Sequence, residues 1–96
     1  MADQANYEMV FILHPSTPED GVPELVAKVK QFITASGGQV TQADIWGRRR
    51  FAYPIRKLTD GYYALVKMSM ATPAVAELER NLKLTEPVIR YLIVRE

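Results

Sequence analysis

One stretch decides the fold: "QVTQADIWGRRRFAYPIRKLTDGYYALVKMSM", which runs from Gln39 to Met70. β-Branched and aromatic residues recur on both sides of a turn region around Pro54 to Gly61, which predicts two strands, roughly residues 39–50 and 62–70. No helical periodicity separates them. The two strands are therefore expected to pair as an antiparallel hairpin in the middle of the chain.

A strand and a helix are predicted before this hairpin. Residues 7–13, "YEMVFIL", have strand composition, and the following helix has apolar residues at positions 25, 26, 29, 32 and 33. Thr17 is expected to cap the helix with Asp20 completing a capping box, unless regular helix begins only at Pro23. Gly37-Gly38 is expected to end it.

A second helix and a last strand are predicted after the hairpin. Thr72-Pro73 is a cap signal for a helix that places Val75, Leu78 and Leu82 on one face, and Val88–Arg95 is a strand. The order β-α-β-β-α-β predicts an α+β, ferredoxin-like plait, in which one four-stranded antiparallel sheet carries both helices on one face. Residues 1–96 are expected to form a single domain.

The predicted sheet has helices for only one face, yet three strands are apolar on both faces. In the last strand, Ile89, Tyr91 and Ile93 are expected on the helix side. The open face is expected to carry Val10, Ile12, Tyr63, Leu65, Lys67, Leu92 and Val94. A contiguous apolar patch edged by Lys67 and Arg90 predicts a protein partner. The alternatives are scattered surface hydrophobics and a covering by the termini.

The sequence offers little to an enzyme. It has one histidine, His14, no cysteine, and no ligand spacing that would hold a metal, so neither catalysis nor a cofactor is expected. The N-terminus lacks the pattern of a signal peptide, and the longest apolar run, Met9–Leu13, is far shorter than the roughly 20 residues that span a bilayer. With twelve basic and eleven acidic residues, total charge does not identify a partner, so the distribution of charge must.

The basic residues concentrate in the hairpin. Arg48, Arg49 and Arg50 are consecutive, Arg56 and Lys57 follow, and no acid lies between Trp46 and Thr59. On a strand, three consecutive side chains must project from both faces, so at least one arginine is expected beside the apolar patch. Arginine presents a planar fork of donors to phosphate, which favours RNA binding. The alternative is an edge strand protected from aggregation by charge.

Four segments together resemble the ribosomal protein six family of the small bacterial subunit: "YEMVFILHP", "DIWGRRRFAYPIRK", "GYY" and "LERNLKLTEPVIRYLIVRE". The resemblance covers residues 7–95 and implies a structural component of the cytoplasmic ribosome. It implies binding to the central domain of small-subunit ribosomal RNA as a heterodimer with small-subunit protein eighteen. By motif position, it implies RNA contacts at Arg48, Arg49, Arg50, Arg56, Lys57 and Arg90.

The resemblance has limits, and other uses of this fold exist. The family often has an N-terminal arginine that "MADQANYE" lacks, and a β-bulge near Arg50 would exchange the faces of the residues after it. An RRM-type module would need an aromatic RNA-binding motif that "GYYALVKM" does not contain. An enzyme or small-molecule regulatory domain would need a convergent polar site, which the sequence does not indicate.

Overall fold

The computed structural model describes residues 4–55 and 57–96 and has the predicted β-α-β-β-α-β order. The elements are β1 (Gln4–Leu13), α1 (Val22–Ala35), β2 (Gln39–Ile55), β3 (Leu58–Ala71), α2 (Ala74–Leu84) and β4 (Val88–Arg95). The strands form one antiparallel sheet in the order β2-β3-β1-β4. The ferredoxin-like plait is confirmed, with β2 and β4 as its edges.

The main core lies between the sheet and the two helices. Alternate residues of β1, among them Met9 and Phe11, are completely buried against the helices. They meet Val29 and Ile33 of α1 and Leu78 of α2. Burial of these side chains is the main force that holds the helices to this face, at roughly 25 cal/mol per Å² of apolar surface.

α1 begins later than the capping signal at Thr17 predicts and close to the alternative start at Pro23. A 3₁₀ turn at Glu19–Gly21 precedes α1. The N-cap residue of α1 is Gly21, so no side chain caps the first turn of the helix. The expected capping box at Thr17 is therefore wrong, whereas the expected helix end at Gly37-Gly38 is confirmed. There the Gly38 N–H donates to the Ile33 carbonyl over 2.9 Å, which closes the last turn of the helix.

The hairpin is longer than predicted. β2 continues to Ile55 and β3 begins at Leu58, so the region around Pro54 to Gly61 is mostly strand rather than turn. Pro54 is compatible with this because β2 is an edge strand, where a residue without an N–H need not donate to a neighbour. Since β1 ends at Leu13, opposite Tyr62, the end of the hairpin extends beyond the rest of the sheet.

A second, smaller core lies on the open face and was not predicted. It consists of Ile12, Phe51 and Ile89, with Leu58 and Tyr63 packed against them. Ile89 was predicted on the helix side, and this prediction is wrong. The β1–β4 register shifts between Ile12 and Leu13, so that Leu13 pairs with Val88, which joins the main core, and Ile89 packs on the opposite face.

Candidate functional site: the open sheet face and the basic hairpin

The seven residues predicted for the open face are brought together there. The β-ladder sets Val10 opposite both Leu65 and Leu92, and sets Ile12 opposite Tyr63. In the next row, Glu8 lies between Lys67 and Val94. The alternation read from the sequence holds because β1 pairs with β3 without any break in register.

The exposed part of this face is smaller than the sequence pattern predicted. Ile12 and Leu65 are buried, while Leu92 is 64% and Val94 51% exposed. The apolar surface that meets solvent therefore lies toward β4. Beside it, Val10, Ile12, Tyr63, Arg90, Tyr91 and Leu92 line a shallow depression.

Phe51 of the hairpin covers the other part of the open face. Its ring packs on Ile12, and Gly61 of β3 lies directly beneath the contact. A Cβ atom on residue 61 would lie 2.8 Å from the Leu13 carbonyl oxygen and 3.0 Å from Cζ of Phe51. Only glycine leaves room for the ring at this position, and Phe51 of the hairpin covers Ile12.

The register of β2 assigns each of the three arginines to a face. Arg48 lies opposite Tyr62 and Arg50 opposite Asp60, both on the helix side, whereas Arg49 lies opposite Gly61 on the open side. β2 shifts register twice before the arginines, between residues 40 and 42 and between residues 45 and 47. The second shift uses Gly47, whose φ of +87° is in the left-handed region that favours glycine.

Arg48 is held in place by an acid and an aromatic ring of β3. Its Nε–H donates to the carboxylate of Asp60, and its guanidinium lies 5.9 Å from the ring centroid of Tyr62. The hydrogen bond and the charge of Asp60 raise the pKa of Arg48 above its already high ordinary value. The side chain of Arg48 nevertheless remains 55% exposed.

Arg49 belongs to a row of stacked side chains on the other face. Its guanidinium lies 5.7 Å from the ring centroid of Trp46. The Trp46 ring is nearly parallel to that of Tyr63, with 6.5 Å between centroids, and the ring of Phe51 lies 6.0 Å from that of Tyr63. Trp46 therefore packs within the hairpin, but it also stays 42% exposed.

The other predicted RNA contacts do not all lie together. Arg50 and Lys57 are exposed on the hairpin, with Lys57 at its end in a left-handed conformation of φ +65°. Arg56 lies outside the described residues. Arg90 is exposed on β4, opposite Ile12, at the far edge of the sheet. Three strand spacings, about 14 Å, separate it from β2.

Within the described residues, no group of three or more metal-ligating side chains comes together. His14 is a loop residue whose Nδ1 accepts the backbone N–H of Ser16 over 3.1 Å. None of the helices in this part of the chain has the length and apolar character needed to cross a membrane.

Comparison with known proteins gives concordant results. The family model described as "Ribosomal protein S6" matches residues 6–95. "Small ribosomal subunit protein bS6" of Moorella thermoacetica is 52% identical over 91 residues, which cover 94% of this chain and 92% of that protein. The protein of the same description from Clostridium kluyveri is 41% identical, over 94% of this chain and 95% of its own length.

A solved structure agrees with these matches. The crystal structure of 30S ribosomal protein S6 from Thermotoga maritima superposes with a TM-score of 0.92 at 30% sequence identity. The match covers 98% of this chain and 89% of that one.

Proposed function

This chain belongs to the ribosomal protein S6 family and is a non-enzymatic structural constituent of the small subunit of the cytoplasmic ribosome, and on that premise we propose its two binding surfaces. The basic hairpin binds the central domain of small-subunit ribosomal RNA. The exposed part of the open face binds small-subunit protein eighteen. Residues 1–96 act as one ferredoxin-like domain in which the two surfaces adjoin.

The observation that carries the RNA proposal is the exposed run of arginines on a hairpin that extends past the sheet. Arg48, Arg49 and Arg50 project to both faces of this ribbon, and Lys57 lies at its end. Such a ribbon can follow a phosphate backbone with cations on either side. We include Arg56 by its motif position alone. Arg90, on the opposite edge, would contact a separate part of the RNA.

The proposal for the protein partner depends on exposed apolar side chains that lie in one row. Leu92 and Val94 project from edge strand β4 beside half-buried Val10. Tyr63 and Lys67 border this surface on β3, while the buried Ile12 and Leu65 lie beside it on the same face of the sheet. A partner that covers this surface would remove exposed apolar area from water, which is the usual driving force for association.

A gel-shift experiment tests both parts. The probe is a central-domain fragment of small-subunit ribosomal RNA, titrated with this protein in the presence and absence of small-subunit protein eighteen, at two salt concentrations. We expect tight binding that requires both proteins and weakens steeply with salt, because cations on the hairpin displace counterions from phosphate. Weak binding that is equal in every condition would refute the proposal.

A further inference from the structure

We infer that Asp60 is a positioning residue for RNA binding, whose carboxylate orients the guanidinium of Arg48 toward a phosphate. This inference rests on the proposed function of the hairpin and assigns a role there to an acidic residue. An acid within a basic surface would ordinarily be expected to weaken binding to a polyanion.

The geometry distinguishes Asp60 from other acids near the hairpin. Asp60 lies on β3 two residues from Tyr62, the partner of Arg48, and therefore on the same face of the sheet. Its contact is with Nε of Arg48, at the inner edge of the guanidinium group. That leaves the outer edge, with the two Nη atoms, available for the two oxygens of a phosphate.

Tyr62 supplies the second constraint. Because its ring lies 5.9 Å from the guanidinium carbon, Arg48 is held by contacts from two directions. A free arginine loses rotamer freedom when it binds, and this loss costs roughly 0.5–1.5 kcal/mol, or about two- to tenfold in affinity. An arginine that is already ordered avoids much of that cost, while its exposed side chain stays accessible to RNA.

Glu19 provides a matched control. It lines the same depression as Arg48, next to the start of α1, but makes no ion pair with it within the described residues. Removal of either acid changes the net charge near Arg48 by the same amount. Only removal of Asp60 releases the guanidinium.

The experiment compares four proteins, each assembled with small-subunit protein eighteen, in binding to the central-domain RNA fragment. They are the wild type, Asp60→Ala, Asp60→Asn and Glu19→Ala. We expect Asp60→Ala to bind about two- to tenfold more weakly than the wild type. Asp60→Asn has the same net charge as Asp60→Ala but retains an oxygen that can accept the Nε–H. We therefore expect its affinity to lie between those of Asp60→Ala and the wild type. Glu19→Ala should bind as well as the wild type or better, because it removes only repulsion.

A double-mutant cycle with Arg48→Ala completes the test. In that background Asp60→Ala should no longer weaken binding, because no guanidinium remains to be oriented. Circular dichroism of each variant verifies that it is folded. The inference is overturned if Asp60→Ala binds as tightly as Glu19→Ala, or if Asp60→Ala and Asp60→Asn are equal. Failure of the wild-type complex to bind would refute the proposed function itself, and the inference with it.

Discussion

Replacement of Gly61 by alanine gives the most direct test of how the hairpin is joined to the sheet. The added methyl group would lie 2.8 Å from Cγ2 of Ile12 and from the Leu13 carbonyl oxygen, and 3.0 Å from Cζ of Phe51. The phenyl ring could move away, but the carbonyl belongs to a fully buried strand residue. Overpacking of this kind costs about 1–3 kcal/mol.

The expected loss is large enough to measure. For a domain of this size, each kcal/mol lowers Tm by about 4–8 °C, so Gly61→Ala should melt roughly 5 to 20 °C below the wild type. Urea unfolding can be followed by the fluorescence of the single tryptophan, Trp46, which stacks on Tyr63. Thr59→Ala is the matched control, because Thr59 is exposed on the same strand and its loss should change stability by no more than about 0.5 kcal/mol. Equal midpoints for Gly61→Ala and Thr59→Ala would refute the steric argument.

Three further predictions concern the two surfaces and pH. Replacement of Arg48, Arg49 and Arg50 together by alanine should reduce the magnitude of the negative slope of log affinity against log salt by about two in RNA titrations. The Tm should be nearly unchanged, and loss of the fold would contradict the placement of the arginines on the surface. Leu92→Asp should weaken binding to small-subunit protein eighteen about tenfold or more in calorimetry and leave the protein folded, whereas Leu65→Asp should destabilise it by about 3 kcal/mol or more. Burial and the nearby Glu79 raise the pKa of Tyr91, so its contribution to stability is complete below the ordinary tyrosine pKa of about 10 and is lost as pH rises through the higher folded value. Urea midpoints should therefore fall less steeply above about pH 10 in Tyr91→Phe than in the wild type, and identical slopes would count against this assignment.

The alternation of residues in the sequence was sufficient to assign side chains to the correct face of the sheet where the strands pair without interruption. Val10 and Leu65 were placed on the open face correctly because the β1–β3 register has no break. Ile89 was misplaced because one shift in the β1–β4 register moves it to the other face, and no residue there signals a bulge. Of the two register shifts before the arginines in β2, the one at Gly47 is signalled by the glycine, but no residue type signals the one near Thr41.

The contacts that distinguish the site required three-dimensional structure. Arg48 and Asp60 are twelve residues apart, and their pairing depends on how many residues each strand contributes between them and the end of the hairpin. The position of Phe51 over Ile12 follows from the irregular register between Arg50 and Ile55 and from the space at Gly61. These features come from the departures from ideal strand geometry.

The arrangement of the sheet also limits when this protein can fold during its own synthesis. Its first strand is central and pairs with its last, with Tyr7 opposite Arg95. While the residues of β4 are still within the exit tunnel of the ribosome, β1 lacks a neighbour on one side, and Val10 and Ile12 lack the cover of β4. Pairing of β1 with β4 must therefore await the emergence of β4, and contacts between residues so far apart in the sequence form slowly. A ribosomal protein of this topology completes its sheet only after β4 has emerged from the ribosome on which it is translated.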